Sequence, residues 1–74
     1  MTAMENIDRF LCQNVGNAYC DDCLSSVLKI MPRQQVQQKT QYLANDHRFR
    51  RSPGRCERCG ADKLVISRRM VAVA

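Results

Sequence analysis

Residues 20–23 read Cys-Asp-Asp-Cys and residues 56–60 read Cys-Glu-Arg-Cys-Gly, which gives the chain two cysteine pairs of identical spacing. In each of them, two intervening residues let one short turn aim both sulfurs at a single point. Because 32 residues separate Cys23 from Cys56, the intervening segment must form structure of its own. Four thiolates at this spacing predict one tetrahedral Cys₄ site that holds a single structural Zn²⁺. The predicted ligands are Cys20, Cys23, Cys56 and Cys59.

The length of the chain makes this metal site important for folding. With 74 residues the chain forms one domain at most, which we place at residues 1–69, followed by a short apolar tail at residues 70–74. A core of this size rarely supplies more than about 3–5 kcal/mol. Structural zinc contributes an apparent ~10–16 kcal/mol in zinc-finger peptides, so we expect the metal to decide whether the chain folds. Iron in the same four-sulfur geometry is the alternative to zinc.

The cysteine count and the hydropathy pattern indicate a reducing compartment. Hydrophobic residues make up 45% of the chain, but no apolar stretch approaches the ~20 residues of a membrane helix. No basic-then-apolar leader opens the sequence. Five cysteines cannot all pair in disulfides within one chain, and reduced thiols favour metal ligation. These features predict a cytoplasmic protein that does not bind membranes.

Charge is distributed unevenly along the chain. The net charge is +5, but residues 1–32 carry two basic against four acidic side chains. Residues 33–74 carry ten Arg and Lys against three acidic side chains. A strongly basic half predicts a surface that faces a polyanion, and the alternative is a basic surface that serves only solubility.

Helical periodicity appears twice before residue 32. Thr2 and Glu5 form a capping box, and the apolar positions that follow predict a first helix that ends before Gly16. Cys12 lies near the end of this helix, and we predict that it is buried there as a small hydrophobic side chain. The first cysteine pair begins a second helix at about residues 21–30, whose apolar stripe is Leu24, Val27, Leu28 and Met31. Asp21 and Asp22 stabilise the first turn of this helix, because negative charge is favourable near a helix N-terminus.

A third helix is predicted from about Pro32 to Ala44, because Pro is favoured at the first helical position. Its inward residues are Val36, Thr40 and Leu43, at i, i+4 and i+7. The remaining faces carry five Gln in eight residues, together with arginine and lysine. A polar face of this kind is either inert or suited to nucleic acid, since Gln pairs with adenine in the major groove.

The basic C-terminal segment predicts two antiparallel strands. The first is His47–Arg51, and turn residues follow at 52–55. The second strand is Lys63–Ser67, rich in β-branched residues, so the second cysteine pair lies inside the connection. His47 is the sole His, and we predict a surface residue rather than a ligand.

Three segments together resemble a known family. They are residues 19–24 (Tyr-Cys-Asp-Asp-Cys-Leu), residues 32–36 (Pro-Arg-Gln-Gln-Val) and residues 54–60 (Gly-Arg-Cys-Glu-Arg-Cys-Gly). With this order of helices and an Arg-rich hairpin, residues 5–67 resemble small prokaryotic winged-helix (helix-turn-helix) DNA-binding domains whose wing carries a rubredoxin-type zinc knuckle. The resemblance implies an α+β fold of three helices and a C-terminal antiparallel β-hairpin that carries the knuckle. Met31 departs from the pattern, because such a recognition helix usually has Ser, Thr or Asp at its N-cap.

The resemblance also implies a double-stranded DNA partner and a role as a transcriptional regulator or accessory factor. The helix at residues 32–44 would enter the major groove. The residues of this helix that would face DNA are Arg33, Gln34, Gln37, Gln38 and Gln41. The wing would contact phosphates or the minor groove through Arg48, Arg50, Arg51 and Arg55.

Two other functions stay open at this point. A zinc-stabilised adaptor would bind a protein partner through its helix faces and its tail. A CxxC thiol–disulfide protein would use the pairs for redox chemistry, although the βαβ context of such proteins is absent. No Ser/His/Asp set, carboxylate pair or Gly-rich phosphate loop is visible, so we predict neither an enzyme nor a small-molecule substrate. Homodimerisation stays open, since many helix-turn-helix proteins read paired half-sites.

Overall fold

A computed structural model describes residues 2–69, which form three helices and a three-stranded antiparallel sheet. The predicted α+β class is therefore confirmed, whereas the predicted tail at residues 70–74 lies outside the described residues. No helix within residues 2–69 combines the length and the apolar character needed to cross a membrane. In chain order the elements are α1 (Ala3–Gln13), β1 (Ala18–Cys20), α2 (Asp21–Leu28), α3 (Arg33–Leu43), β2 (Phe49–Arg55) and β3 (Asp62–Arg68).

The sheet is larger than the predicted C-terminal hairpin. Its strand order is β1-β3-β2, so β3 lies between the hairpin partner β2 and the short strand β1. Residues 18–20 pair antiparallel with β3, with Ala18 opposite Ser67 and Cys20 opposite Val65. The prediction of a hairpin alone was wrong, because three residues are too few to show a strand alternation and their partner lies far along the chain.

The predicted turn at residues 52–55 was also wrong, because these residues continue β2. Pro53 lies opposite Leu64, and Gly54 lies opposite Lys63. Proline is tolerated here because β2 is an edge strand of the sheet, where a missing N–H need not interrupt the ladder. At Gly54 a Cβ atom would lie 3.2 Å from Val65 Cγ2, so glycine permits close packing between the two strands. The chain reverses instead in the segment 56–61, which contains the second cysteine pair.

The first helix follows the prediction closely. The hydroxyl of Thr2 accepts a hydrogen bond from the backbone N–H of Glu5 at 3.2 Å, which caps α1. Ile7 and Leu11 are fully buried on one face of this helix. The chain then turns at Gly16, whose φ of +90° lies in the region that favours glycine.

The second helix is two residues shorter than predicted. It ends at Leu28 because Lys29 adopts a left-handed conformation with φ of 56°. Leu24 is buried as predicted, but Val27 is partly exposed and Met31 is 75% exposed. The predicted apolar stripe therefore holds at Leu24 and in part at Leu28, which packs against the core, but not at Met31, because the chain leaves the helical path before that residue.

The third helix supplies one wall of the core. It begins at Arg33 with Pro32 as its N-cap, one residue later than predicted. Val36, Thr40 and Leu43 are buried, as the periodicity predicted. α3 packs against α1 and α2, while Phe49 and Ile66 of the sheet complete the same core. The helices therefore form one layer over the sheet, and the opposite face of α3 stays in solvent.

Candidate metal centre

Four cysteine sulfurs converge at one end of the sheet. The sulfurs of Cys20, Cys23, Cys56 and Cys59 all lie within 4.8 Å of one another. The Cys20 and Cys59 sulfurs are 3.8 Å apart, and those of Cys23 and Cys56 are 3.6 Å apart. A tetrahedron with Zn–S bonds of about 2.3 Å places its sulfurs about 3.8 Å apart, so this donor set fits one Zn²⁺ ion. The predicted ligand cluster is confirmed as one structural metal site.

The first pair is positioned by the junction of β1 and α2. Cys20 is the last residue of β1 and also the N-cap of α2, with extended backbone angles of φ −80° and ψ 162°. Cys23 lies in the first turn of α2. At this end of a helix the backbone N–H groups lack helical partners, and they favour negative charge on sulfur.

The second pair is positioned by a tight loop between β2 and β3. The N–H of Gly60 donates to the carbonyl of Cys56 at 2.8 Å, and Gly60 has a φ of +74°. The N–H of Glu57 donates to the carbonyl of Ala18 at 2.7 Å, which holds the loop against β1. The loop therefore reaches the first pair through backbone contacts as well as through the metal site.

Backbone donors bias one sulfur strongly toward the thiolate. Burial raises the pKa of Cys56, but N–H groups of Cys59, Cys20 and Arg58 outweigh this effect and lower the pKa to about 6. The contact from the Cys20 N–H to the Cys56 sulfur is 3.4 Å. Burial raises the pKa of Cys20, and it raises the pKa of Cys23 to about 12. A bound cation reverses that effect of burial, because a coordinated thiol is deprotonated outright.

The donor set also limits the chemistry of the site. Cys20, Cys23 and Cys56 are buried, while Cys59 is exposed at the surface. Four sulfur ligands fill a tetrahedral zinc site and leave no coordination position for a substrate. The arrangement is therefore suited to joining α2 and β1 to the β2–β3 loop.

A buried polar network beside this centre escaped the sequence analysis. The hydroxyl of Thr40 donates to Asp21 Oδ1 at 2.9 Å, and Arg51 Nη2 donates to Asp21 Oδ2 at 3.3 Å. The side chains of Asp21 and Arg51 are only 7% and 13% exposed. Three elements (α2, α3 and β2) therefore meet at one carboxylate. No sequence signal distinguishes Asp21 from Asp22, since only the packing buries one of them.

A second carboxylate binds two cations at the surface. Lys63 Nζ donates to Asp22 Oδ2 at 2.8 Å, and Arg33 Nε forms an ion pair with Asp22 Oδ1. The hydrogen bond from Lys63, aided by the charge of Arg33, lowers the pKa of Asp22. Lys63 therefore joins the charged residues around the start of α3, and no motif in the sequence indicates this contact.

The outward face of α3 is lined by glutamine. Gln34, Gln38 and Gln41 are exposed, and the helical repeat places them opposite the buried stripe of the same helix. Gln37 is half-buried at the edge of this face. The predicted glutamine residues are therefore brought together on one surface.

The predicted wing arginines have different surroundings. Arg50 and Arg55 are exposed and form no ion pair within residues 2–69. Arg48 is exposed but binds both carboxylate oxygens of Asp46, and this hydrogen bonding lowers the pKa of Asp46 to about 2. Arg51 faces the interior, as described above. Two of the four arginines are therefore free for a partner.

The remaining cysteine lies apart from the metal site. Cys12 is half-buried, and its thiol donates to Asp8 Oδ1 at 3.2 Å. Arg68 Nη1 contacts the same sulfur, and burial raises the pKa of the Cys12 thiol. His47 is 90% exposed and lies outside the sulfur cluster, as predicted for a surface residue.

Comparison with protein-family models, with curated proteins and with solved structures found no match for this chain. The fold and the site therefore define its class: a small α+β domain built around one structural Cys₄ metal centre.

Proposed function

We propose that this protein is a zinc-stabilised module that binds double-stranded DNA as a winged helix. α3 enters the major groove, and the β2–β3 hairpin is the wing that contacts the phosphate backbone. The protein serves as a transcriptional regulator or as an accessory factor.

The order of the elements supports this proposal. α2 and α3 are joined by a short turn, which is the arrangement of a helix-turn-helix, and the two strands of the hairpin follow directly. β1 and the metal site both connect the hairpin to the start of α2. This arrangement holds the wing at one angle to α3, so that both could meet a duplex without reorganisation.

The observation that carries the proposal is the polar face of α3. Gln34, Gln38 and Gln41 are exposed on the side opposite the core. Glutamine offers a donor and an acceptor on one amide and pairs bidentately with adenine in the major groove. α3 has only 11 residues but carries five glutamines, at positions 34, 35, 37, 38 and 41. These side chains contribute little to the packing of the domain.

The wing adds charge that is independent of base sequence. Arg50 and Arg55 are the arginines we assign to phosphate contacts, because both are exposed and free of carboxylate partners within the described chain. Arg51 is removed from this set because Asp21 binds it. Arg48 contributes only where a phosphate displaces Asp46.

The test is a fluorescence-anisotropy titration of the metal-loaded protein with random-sequence duplex at several salt concentrations. Affinity should fall with salt at a log–log slope near −0.9 per phosphate contacted. Arg50→Glu should weaken binding to all duplexes alike. Arg9→Glu is the matched control, because it makes the same charge change on an exposed position of α1. If Arg50→Glu and Arg9→Glu bind the duplex with equal affinity, the wing does not contact DNA.

A protein-interaction adaptor is the second candidate. Met31 is 75% exposed, and Val27 is 37% exposed on the neighbouring end of α2. Exposed apolar side chains of this size are suited to a protein partner. The adaptor is favoured if the metal-loaded protein binds no duplex in low salt and Met31→Ser abolishes capture of a protein partner.

A further inference from the structure

An ion cluster lies where α2, α3 and β3 begin. Asp22 from the first turn of α2 pairs with Arg33, the first residue of α3, and with Lys63 near the start of β3. The side chains are 45%, 53% and 41% exposed, respectively. One carboxylate therefore binds two cations that belong to two other elements, and all three side chains are open to solvent.

Both cations belong to elements that the proposed function assigns to DNA. Arg33 begins the helix that would enter the major groove, and Lys63 lies opposite Gly54 in the hairpin. Exposed ion pairs contribute little to stability, so an incoming anion can displace the carboxylate. A phosphodiester resembles a carboxylate here, because it carries one negative charge and presents two acceptor oxygens to the same donors.

We propose that Arg33 and Lys63 form a binding site for one DNA phosphate, and that Asp22 occupies this site in the free protein as a competing anion. The inference rests on the proposed function and adds Lys63 to it. Asp22 lowers affinity for every duplex by a similar factor. The ratio of affinities for specific and non-specific sites is unchanged, because the penalty is common to both, but weak non-specific complexes fall below the affinity needed for stable binding.

The test compares Asp22→Asn with Asp62→Asn in the same random-duplex titration. Asp62→Asn is the matched control because it removes one negative charge beside Lys63, while Asp62 forms no ion pair within residues 2–69. We expect Asp22→Asn to bind about 3- to 10-fold more tightly than Asp62→Asn, the range expected when two exposed ion pairs are released. Native mass spectrometry should first confirm one metal ion per chain, because Asp22 lies between two ligands.

The outcomes separate the two proposals. If the wild type binds duplex but the two variants bind equally, or if Asp22→Asn binds more weakly, the competitor is refuted and DNA binding stands. If neither the wild type nor either variant binds duplex, both proposals are refuted. If only Asp22→Asn binds duplex, the result would support the role of Asp22 as a competing anion and would explain why the wild type binds weakly.

A measurement on the unaltered protein does not depend on how the variants fold. The side-chain carboxyl ¹³C resonance of Asp22 should shift when metal-loaded protein is saturated with duplex, because the carboxylate exchanges Arg33 and Lys63 for water. An unchanged Asp22 resonance at saturation would overturn the inference.

Discussion

The pair formed by Asp21 and Arg51 provides the sharpest test of the packing described here. Asp21→Asn preserves the size of the side chain and an acceptor for Thr40, but it removes the charge that Arg51 faces. Both side chains are nearly buried, at 7% and 13% exposed. The guanidinium therefore remains in the interior without a carboxylate partner.

The expected loss of stability follows from these contacts. Removing one partner of a buried ion pair costs about 3–5 kcal/mol. The lower end applies here, because the Arg51 contact is 3.3 Å long and Arg51 retains some solvent. Thr40 is not left without an acceptor, since its hydroxyl also lies 3.1 Å from the carbonyl of Gln37. We expect a loss of about 3 kcal/mol, which lowers Tm by about 12–24 °C for a domain of this size.

The assay is urea denaturation followed by circular dichroism at one fixed free-metal concentration, because metal binding contributes to apparent stability. Glu57→Gln is the matched control, since it neutralises an exposed carboxylate that has no ion pair within residues 2–69. The control should stay within about 0.5 kcal/mol of the wild type.

A double-mutant cycle then tests the pair itself. Arg51→Met removes the charge and keeps an apolar stem, so the double variant with Asp21→Asn should recover much of the lost stability. We expect a coupling energy of about 2–3 kcal/mol. Additive effects of the two single variants, or a loss in Asp21→Asn no larger than that of Glu57→Gln, would refute the assignment of a buried pair.

The metal centre supports two further predictions. Cys56→Ser, or removal of the metal with a strong chelator, should abolish the cooperative thermal transition, because structural zinc supplies more stability than a core of 74 residues. A cooperative transition retained by the metal-free protein would contradict this prediction. Cys12→Ser is the control, and this variant should keep the cooperative transition. Gly60→Ala should lose about 1–2 kcal/mol of unfolding free energy at constant metal occupancy, because its φ of +74° disfavours a Cβ. Ala61→Gly is the control for Gly60→Ala, and equal effects of these two changes on the urea midpoint would argue against strain at the knuckle.

Local periodicity predicted those parts of the fold that depend on neighbouring residues. The buried stripe of α3 and the cap at Thr2 follow from residues three or four positions apart, and both were confirmed. The cysteine cluster was also predictable although its halves are distant in sequence. A structural zinc site needs four ligands, and each cysteine pair supplies two. The presence of two pairs in one short chain therefore predicts that they bind the same ion.

Long-range pairing decided the features that the sequence analysis missed. The strand at residues 18–20 exists because β3 offers it a free edge, and Pro53 is accepted in β2 because β2 is at the other edge. Neither of these features has a signature within a few residues, since each depends on where another element lies.

Residue type and short-range spacing were enough to predict the four metal ligands, the inward face of α3 and the concentration of positive charge after residue 32. The packing of the elements, in contrast, is what buries Asp21 against Arg51 and leaves its neighbour Asp22 in solvent beside Lys63. Adjacent residues on a helix point about 100° apart, so the helix buries one carboxylate and exposes the other, and the elements packed around them choose their partners.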